Sequence, residues 1–443
     1  MKLSLLPSIS SVLSLASAQS LVEVLSSQPQ LSSLLAALQE FPDLVDTVSR
    51  TSNITVLAPA NFALAAFLET DEGARFSADP EYARAFLSYH VLQGTYNSTY
   101  FNGVQPSTRG AEFFPTLLQP GPYCNVTGGQ TVEATAGTFE VEDLTNVTFF
   151  SGFVLDSNWA DESLLDLEFD GGLIHGINPP LTLPPNVSTN LVAAQRESLL
   201  GAIQRVGLLE SLESSKDLLL FAPTNQGFQN IGSEIDNLSD DDLREILLYH
   251  VAITNGTLYG TGLTDGLRLP TLNGNELTIT VQNGPGFENV GVVSEDFFVF
   301  VNGVRIINFN LPIENGVVFG VDNVLNPFNT TARPPQSATV GQRQFREARA
   351  GTVFPYTEGI RTTDSPIFSA TNVAGTTPPP NTPTPLIETM TGTGLVGTGF
   401  GNGTRPNITA AATPAQYTGG VPPMITKAPV LGAIAAGALF AGL

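Results

Sequence analysis

The sequence repeats itself once over most of its length. Five short blocks occur twice in the same order: ITVLAPANFAL and LLLFAPTNQGF (54–64 and 218–228), LSYHVL and LLYHVA (87–92 and 247–252), FFPTLL and LRLPTL (113–118 and 267–272), FFSGFV and FVNGVR (149–154 and 300–305), and GGLIHGINPPL and NGVVFGVDNVL (171–181 and 315–325). A period of about 150 to 160 residues matches a whole domain and is too long for a solenoid repeat. The chain is therefore predicted to contain two copies of one domain.

Each copy begins with helical periodicity and ends with strand periodicity. In the second copy, Leu199, Ile203 and Val206 fall at the three- and four-residue spacing of a helix. Apolar residues alternate over 277–281 after a turn-forming Asn-Gly pair, and a second such pair, at 302–303, separates two further β-rich runs. Helices followed by strands favour an α+β domain over alternating βαβ units.

The repeated motifs resemble those of the fasciclin family, whose domain is called FAS1. Both copies have Ala-Pro-x-Asn after a β-rich run, then a Tyr-His pair, and a G-[LV]-[IV]-x-G segment near the end of the domain. The matching motif residues are Pro59, Asn61, Tyr89 and His90 in the first copy and Pro223, Asn225, Tyr249 and His250 in the second. The resemblance implies two tandem fasciclin-like domains, 19–185 and 186–330, each a β-wedge or sandwich packed with helices. It also implies adhesion or matrix association, mostly without catalysis.

The Tyr-His pairs raise the question of whether the chain uses histidine chemically. His90 and His250 each follow apolar residues three, four and seven positions earlier, so both rings are predicted to face the core and to donate to a backbone carbonyl. Tyr89 and Tyr249 lie about 100° further round the helix and are expected to cover the edge of the core or to contact a partner. A histidine that binds a ligand or acts in catalysis remains the alternative. A metal bound by one of these histidines would need further ligands. The chain has only one other histidine and one cysteine, both in the first copy, so no metal or other cofactor is predicted.

Both ends of the chain have the features of processing signals. Residues 1–18 combine a basic residue, a short apolar stretch and an Ala-x-Ala site, which predicts a cleaved secretory signal peptide. Residues 421–443 end in an uncharged apolar tail behind small residues and a polar spacer, which predicts a GPI-anchor signal that is removed, with a short tail anchor or a merely buried peptide as the alternatives. Residues 331–420 are rich in Pro, Thr and Gly and are predicted to form a disordered, glycosylated stalk. The stretch 343–369 is less biased, and its order is left undecided.

Sequons, charge and cysteine content all suit an extracellular protein that does not bind nucleic acid. Residues 19–330 contain 10 basic and 37 acidic side chains, a balance that repels phosphate backbones. Cys124 is the only cysteine, so each domain must rely on its hydrophobic core and not on an intrachain disulfide. N-glycosylation is predicted at ten Asn-x-Ser/Thr sites: Asn53, Asn97, Asn125, Asn146, Asn186, Asn237, Asn255, Asn329, Asn402 and Asn407.

No motif in the sequence specifies a catalytic site. The H-E-x-x-H, C-x-x-C, P-loop and G-x-S-x-G patterns are absent, and GTGLVG at 392–397 lies in the stalk without a preceding strand. The acidic stretch 236–245 lacks the ligand spacing of a calcium loop and is predicted to be a capped helix start. Asp166, Glu168 and Asp170 could supply a glycosidase-like carboxylate pair, but they are more simply interpreted as a solvated face.

Two functions from different classes are compatible with these features. The order of signal peptide, two fasciclin-like domains, Thr/Pro-rich stalk and GPI tail resembles that of fungal GPI-anchored cell-surface proteins with two fasciclin domains. The favoured function is therefore that of a secreted, GPI-anchored, non-enzymatic glycoprotein on the cell surface or cell wall, held at the outer leaflet of the plasma membrane through its lipid alone. Its partners would be cell-wall or matrix glycans, or other cell-surface proteins. The alternative is a wall-polysaccharide hydrolase or transglycosylase that uses a carboxylate pair. Only the alternative predicts a turnover that one Asp→Asn or Glu→Gln change abolishes.

Overall fold

The two copies of the repeated sequence fold into two α+β domains of the same design. The computed structural model describes residues 19–105, 109–136, 147–152, 157–283, 297–336 and 338–360. The predicted signal peptide, the GPI-anchor signal and the sequons at Asn146, Asn402 and Asn407 lie outside these ranges, as does the stalk beyond residue 360. Within the ranges described, no helix has both the length and the apolarity needed to span a membrane.

Short helices form one layer of the first domain, and local capping fixes where several of them begin. Ser20 and Glu23 form a reciprocal capping box at the first helix, and Asp79 caps the helix that ends at Tyr89. The helices are α1 (Leu21–Ser27), α2 (Ser32–Gln39), α3 (Pro42–Arg50), α4 (Asn61–Leu68), α5 (Asp71–Ala78), α6 (Pro80–Tyr89) and α7 (Ser98–Phe101), with 3₁₀ turns at Pro29–Leu31 and Glu162–Leu164.

The strands of the first domain form two sheets around a parallel central pair. They are β1 (Ile54–Pro59), β2 (Val91–Gln93), β3 (Glu112–Pro115), β4 (Thr131–Ala136), β5 (Val147–Phe150), β6 (Asn158–Trp159), β7 (Leu167–Phe169) and β8 (Gly172–Asn178). One sheet has the order β2-β1-β8-β6 with β7 also paired to β8, and the other has the order β3-β4-β5. β1 runs parallel to β8 and is buried at every position, as expected of a strand covered on both faces.

The second domain repeats this order of elements. Its helices are α8 (Val187–Ala193), α9 (Glu197–Arg205), α10 (Leu209–Ser214), α11 (Asn225–Gln229), α12 (Gly232–Ile235) and α13 (Asp240–Tyr249), with a 3₁₀ turn at Gly260–Gly262. Its strands are β9 (Leu218–Pro223), β10 (Val251–Ala252), β11 (Arg268–Pro270), β12 (Glu276–Asn283), β13 (Phe297–Val301), β14 (Val304–Ile313) and β15 (Gly316–Val321). β9 and β15 form the parallel central pair. A capping box between Ser239 and Asp242 starts α13, which confirms the capped helix start predicted for 236–245.

The sheets of the two domains differ because one strand is continuous in the second domain and broken in the first. β14 pairs with β13 and β15, which joins all the strands into one sheet of order β10-β9-β15-β14-β13-β12-β11. In the first domain the corresponding chain is divided into β6, a 3₁₀ turn and β7, so β3-β4-β5 remains a separate sheet. Asn302 and Gly303, with φ of 44° and 80°, make the predicted two-residue turn between β13 and β14.

Each domain has two apolar clusters, one on either side of its central strands. Alternate residues of β9 separate between them, with Leu218 and Leu220 on one side and Leu219 and Phe221 on the other. We call the cluster beneath the N-terminal helices the helix-side cluster and the one beneath the later strands the strand-side cluster. β1 divides its residues in the same way in the first domain.

The second domain extends further toward the C-terminus than its predicted boundary. A disordered stalk is predicted from residue 331, but the chain stays in contact with the second domain up to Ile360. Phe345, Ala348, Tyr356 and Ile360 pack against its helix-side cluster. These few apolar side chains are spread through a polar stretch without helical or strand periodicity, which is why the pattern alone left 343–369 undecided.

Candidate functional site

His90 joins the end of a helix to the chain beyond the central strand. It directly follows α6, and the residue is 2% exposed. Nδ1 donates to the carbonyl oxygen of Phe86 at 2.8 Å, and Nε2 accepts the backbone N–H of Leu181 at 2.9 Å. Both ring nitrogens are therefore occupied by backbone groups, and the neutral ring with a proton on Nδ1 satisfies both bonds.

His250 makes the same two bonds in the second domain. Nδ1 donates to Ile246 O at 2.8 Å, and Nε2 accepts from the backbone N–H of Leu325 at 2.9 Å. Burial lowers the pKa of both His90 and His250 to about 4, against the opposing effect of the helix carbonyl. The two rings are thus neutral at physiological pH and have no nitrogen available for a ligand.

Tyr89 and Tyr249 do not lie at the edge of the core or on the surface, so this expectation is wrong. Both are fully buried, and each belongs to the strand-side cluster of its domain. Their hydroxyls donate to backbone carbonyls, Tyr89 to Thr131 at 3.0 Å and Tyr249 to Glu276 at 3.2 Å. The expectation assumed one core, whereas the end of the helix lies between two. A rotation of about 100° therefore carries a side chain from one cluster into the other.

The asparagine of each Ala-Pro-x-Asn motif caps a helix that is distant in the sequence. Asn61 accepts the N–H of Ser33 in the first turn of α2 at 2.9 Å, and Asn225 accepts that of Ser198 in α9 at 2.9 Å. These N–H groups have no partner within their own helices, so the asparagine supplies one. Asn225 also donates to the Glu197 carboxylate at 2.6 Å. Pro59 and Pro223 are the last residues of β1 and β9.

His175 lies near a serine and an aspartate, but the three do not form a catalytic triad. The hydroxyl of Ser98 donates to Asp166, whose carboxylate is 3.9 Å from His175 Nε2. Nε2 is engaged by Tyr96 O at 2.8 Å, and Nδ1 accepts the N–H of Asp166 at 3.2 Å. Since neither nitrogen is available to take the proton of Ser98, the hydroxyl is not activated as a nucleophile.

The acidic residues considered for catalysis are exposed and do not form a metal site. Asp166, Glu168 and Asp170 all lie at the surface around β7. In the described parts of the chain, no group of three or more His, Cys, Asp or Glu side chains is placed to hold a metal ion. Cys124 is buried, and burial raises the pKa of its thiol, so the reactive thiolate form is disfavoured.

The described sequons differ in how they present their amide nitrogen. Asn53, Asn97, Asn237 and Asn255 are exposed, and Asn186 and Asn329 are half-buried. Asn237 and Asn329 donate through Nδ2 to Ser233 O and Gln344 Oε1 within their own part of the chain, both at 2.9 Å. Asn125 is different because the acceptors of its Nδ2, the carbonyl oxygens of Ser214 and Ser215 at 3.2 Å, belong to the other domain. This sequon is therefore part of a contact between the domains.

That contact, which we call the domain seam, joins residues 109–133 of the first domain to 214–217, 259–263 and 310–314 of the second. The N–H and hydroxyl of Thr127 both donate to the Asp217 carboxylate at 2.6 Å. Gln130, which is 1% exposed, donates to Ile313 O at 2.9 Å and to Glu314 O at 3.1 Å. The Thr127 pair lies at the exposed edge of the seam, whereas the buried and paired Gln130 amide fixes the register of the two surfaces.

An aromatic stack and an unusual asparagine complete the seam. The rings of Phe113 and Tyr259 stack with centroids 3.9 Å apart, and Thr131 donates to the Tyr259 hydroxyl at 2.6 Å. Asn310, in a left-handed conformation with φ of 57°, donates to Arg109 O at 2.9 Å. Asparagine tolerates this conformation better than other non-glycine residues, so it can turn its amide out of β14.

The seam also encloses a carboxyl group with a shifted pKa. Glu133 accepts the N–H of Ala111 at 2.7 Å and lies 3.4 Å from Asn310 Nδ2. Burial raises its pKa to about 7 in spite of these two donors. Sequence reasoning assigned a contact between the domains to none of the seam residues, and it named Asn125 only as a sequon. The one local signal for them is the pair of asparagines, at 308 and 310, that interrupts an otherwise β-rich run.

A comparison with known protein families bears directly on these repeats. The family model described as Fasciclin domain matches residues 29–184 and 194–327, one match for each structural repeat. The chain belongs to the fasciclin family. In this fasciclin protein the histidines of the Tyr-His pairs tie the end of a helix to the chain that follows β8 or β15, and the asparagines of Ala-Pro-x-Asn tie one helix to another.

Two relatives and one solved structure resemble this fasciclin protein over most of its two domains. A fasciclin-like arabinogalactan protein of Arthroderma benhamiae is 33% identical over 345 residues, which cover 77% of this chain and 75% of the relative. Fasciclin-like arabinogalactan protein elcF of Phaeosphaeria nodorum is 30% identical over 315 residues, covering 70% and 89%. A FAS1 domain pair from the insect cell adhesion molecule Fasciclin I covers 68% of this chain and 98% of its own, with 16% identity and a TM-score of 0.32.

Proposed function

We propose that this fasciclin protein is a non-catalytic cell-surface glycoprotein that serves adhesion or cell-wall and matrix association. The observation that carries the proposal is that all three histidines of the chain have both ring nitrogens bonded to backbone groups. The residue type best suited to general acid–base work at neutral pH is thereby committed to the fold. Binding at the outer surface of the paired domains is the function that this arrangement supports.

The partners that we propose are wall or matrix glycans, or other cell-surface proteins. The relatives named fasciclin-like arabinogalactan proteins support this class. The acidic balance of residues 19–330 disfavours polyanionic partners such as nucleic acid. A docked pair of domains can present a wider surface to a polymer than either domain alone.

We also propose that the chain is secreted and anchored by a GPI lipid. The support is the Ala-x-Ala site at the N-terminus and the uncharged apolar tail at the C-terminus. Treating intact cells with a phosphatidylinositol-specific phospholipase is expected to release the protein. Retention on the cells, with the apolar tail still detected by mass spectrometry, would refute the anchor.

A binding assay separates adhesion from the alternative of wall-polysaccharide hydrolysis. Purified intact protein and the Asp166→Asn variant are incubated with isolated fungal cell walls, and bound protein and newly formed reducing ends are both measured. We expect both proteins to be retained equally, without release of sugar. Sugar release that Asp166→Asn or a matched Glu168→Gln change abolishes would replace adhesion with hydrolysis. Absence of retention by walls and by intact cells would contradict the adhesive role.

A further inference from the structure

The helix-side surface of the second domain is covered by its own C-terminal segment. Helix α9 buries seven consecutive residues, 197–203, although a helix on a protein surface normally exposes one face. Tyr356 lies against this helix: its carbonyl oxygen is 1.7 Å from where a Cβ on Gly201 would be, and Arg205 lies 5.5 Å from the centre of its ring. Residue 201 is therefore a glycine where another chain segment passes close to the helix.

Residues 343–360, which we call the covering segment, also make hydrogen bonds to α11 and α12. The N–H of Gly351 donates to Gln229 O at 2.8 Å, and Ser233 N donates to Arg349 O at 3.0 Å. Arg343 reaches the side chain of Asn230 at 3.3 Å. Irregular backbone with several turns, the Arg343 side chain and the rings of Phe345 and Tyr356 thus cover the corner between α9 and α11.

The same corner of the first domain, between α2 and α4, is uncovered. Helix α2 buries only Leu34 and Leu38, and Ala36, the counterpart of Gly201, is exposed. Between Asn61 and Glu69, α4 carries no polar side chain, a composition typical of a helix that is buried all round. The following side chains nevertheless reach solvent: Phe62 at 54% and Leu68 at 40% exposure, with Ala65 and Ala66 between them. We call these four residues and Ala36 the α2–α4 face.

Chain connectivity explains why only one of the two corners is covered. After β15 the chain returns across the helices of its own domain through the covering segment. After β8 it continues directly into α8 of the second domain. Among the described residues, none therefore lies over the α2–α4 face as the covering segment lies over α9 and α11.

The charges around the α2–α4 face favour a basic occupant. Glu40 takes the position that Arg205 has in the second domain, and Glu69 and Asp71 follow the end of α4; all three are exposed. The covering segment carries three arginines, Arg343, Arg346 and Arg349. Arginine pairs with carboxylates through a planar fork of donors and packs its stem on apolar surface, so it suits a face of this composition.

We propose that the α2–α4 face binds a non-helical, arginine-containing peptide segment with an aromatic anchor, supplied by a partner protein. The mode of binding resembles that of the covering segment, with one difference. Ala36 has the methyl group that Gly201 lacks, so the peptide backbone lies further from α2 than Tyr356 does from α9. The proposal is independent of wall adhesion, because a chain that binds no wall material could still bind this segment.

A labelled peptide with the sequence of residues 341–360 is the probe, and its fluorescence anisotropy is measured with the intact chain. We expect saturable binding that weakens as salt is added. Ala65→Arg, at an exposed position in the middle of the face, is expected to weaken binding at least tenfold. Ala193→Arg, at an exposed helical alanine of α8 in the second domain, is the matched control and is expected to bind like the unaltered protein. Thermal melts show whether both variants remain folded.

Three results would overturn the proposal. They are absence of saturable binding, a peptide with its three arginines changed to glutamine that binds as tightly as the original, and binding that Ala65→Arg leaves unchanged. The last result would mean that the peptide exchanges with the covering segment on the second domain. Self-association of the intact chain that Ala65→Arg abolishes would assign the face to a second copy instead, and the peptide proposal would again fail. None of these results depends on retention by cell walls.

Discussion

The histidines of this protein illustrate how a titratable residue can be used only for structure. His90 and His250 keep the proton on Nδ1, whereas His175 keeps it on Nε2, because in each case the nitrogen facing a carbonyl must be the donor. The other nitrogen accepts a backbone N–H. Protonating such a ring turns its accepting nitrogen into a donor that faces a backbone N–H. Two donors then oppose each other, so the fold stabilises the neutral ring.

This assignment predicts how replacing His250 affects stability at different pH values. The pKa is about 4 in the folded protein and about 6.5 when unfolded, so the native state binds fewer protons between these values. The free energy of unfolding contributed by His250 is therefore fully present above pH 6.5 and is lost as the pH falls toward 4. We expect His250→Asn to lower the free energy of unfolding by about 2 kcal/mol at pH 7, through a cavity and a lost bond.

The deficit of His250→Asn should become smaller by about 2 kcal/mol at pH 4.5, because only the unaltered protein loses the histidine contribution. Chemical denaturation at both pH values measures it. Buried carboxyls with raised pKa values, such as Glu133 and Asp322, act in the opposite direction, but they titrate in both proteins and cancel in the difference. A deficit that does not change with pH would show that the ring is not held neutral.

The two motif asparagines allow a matched comparison between the domains. Asn225→Ala removes the cap of α9 and the donor to Glu197, which is 7% exposed, so we expect a loss of about 2 to 3 kcal/mol in the stability of the second domain. Asn61→Ala removes a cap at a more exposed site and should cost about 1 kcal/mol in the first domain. Urea denaturation followed by domain-specific probes compares them. Equal losses would mean that the hydrogen bond from Asn225 to the buried Glu197 carboxylate contributes nothing to the free energy of unfolding.

Among the elements, the covering segment shows how a stretch without periodicity can complete a domain. Leu200 of α9 is 3% exposed, while Leu35, its counterpart in α2, is only partly buried. The difference corresponds to the presence of residues 343–360 over one helix and not the other. Apolar area that is removed from water in this way contributes about 25 cal/mol per Å².

Shortening the chain within and beyond the covering segment tests this contribution. Ending the chain after residue 342 should expose α9 and lower the melting temperature of the second domain. Ending it after residue 361 should leave that temperature unchanged. Tyr356→Ala, which keeps the backbone, is expected to lower the free energy of unfolding by about 2 to 3 kcal/mol, because the ring packs on Phe228 and Arg205. If the chain that ends at residue 342 and the Tyr356→Ala variant both melt at the same temperature as the unaltered protein, the covering segment does not stabilise the domain.

Local sequence predicted those elements whose causes are local. The Asn302-Gly303 hairpin, the capped start of α13 and the two α+β repeats are all in the structure. The burial of Tyr89 was missed because helical spacing does not reveal a second cluster on the far side of the sheet. The seam was missed because its donors and acceptors are far apart in the chain. Gln130, for example, pairs with residues more than 180 positions away, and no local pattern marks such a pairing.

In the whole molecule, the seam couples two domains that could otherwise move independently. Gly260 packs directly on the first domain, where a Cβ would lie 2.2 Å from Arg109 O, so the backbones approach closely. Polar contacts at Asn125, Thr127 and Gln130 and the stack of Phe113 on Tyr259 also join the two domains.

The seam also predicts which sequon stays unmodified if the chain is glycosylated as proposed. The atom that would carry a glycan on Asn125 is Nδ2, which instead donates to both Ser214 O and Ser215 O inside the contact. A glycan at this atom removes one donor and needs space that the second domain occupies. On Asn97, by contrast, the side-chain oxygen makes the helix cap to Tyr100, and the residue is exposed.

We therefore expect Asn97 to be occupied and Asn125 to be unoccupied in the mature protein. Enzymatic deglycosylation converts a glycosylated asparagine to aspartate, so peptide mapping by mass spectrometry distinguishes the two sites. Asn97→Gln should remove one glycan from the intact mass, whereas Asn125→Gln should remove none and should instead weaken the seam by losing two hydrogen bonds. Full occupancy at Asn125 would contradict the docked arrangement, since a glycan on Nδ2 and the bonds to Ser214 and Ser215 cannot coexist.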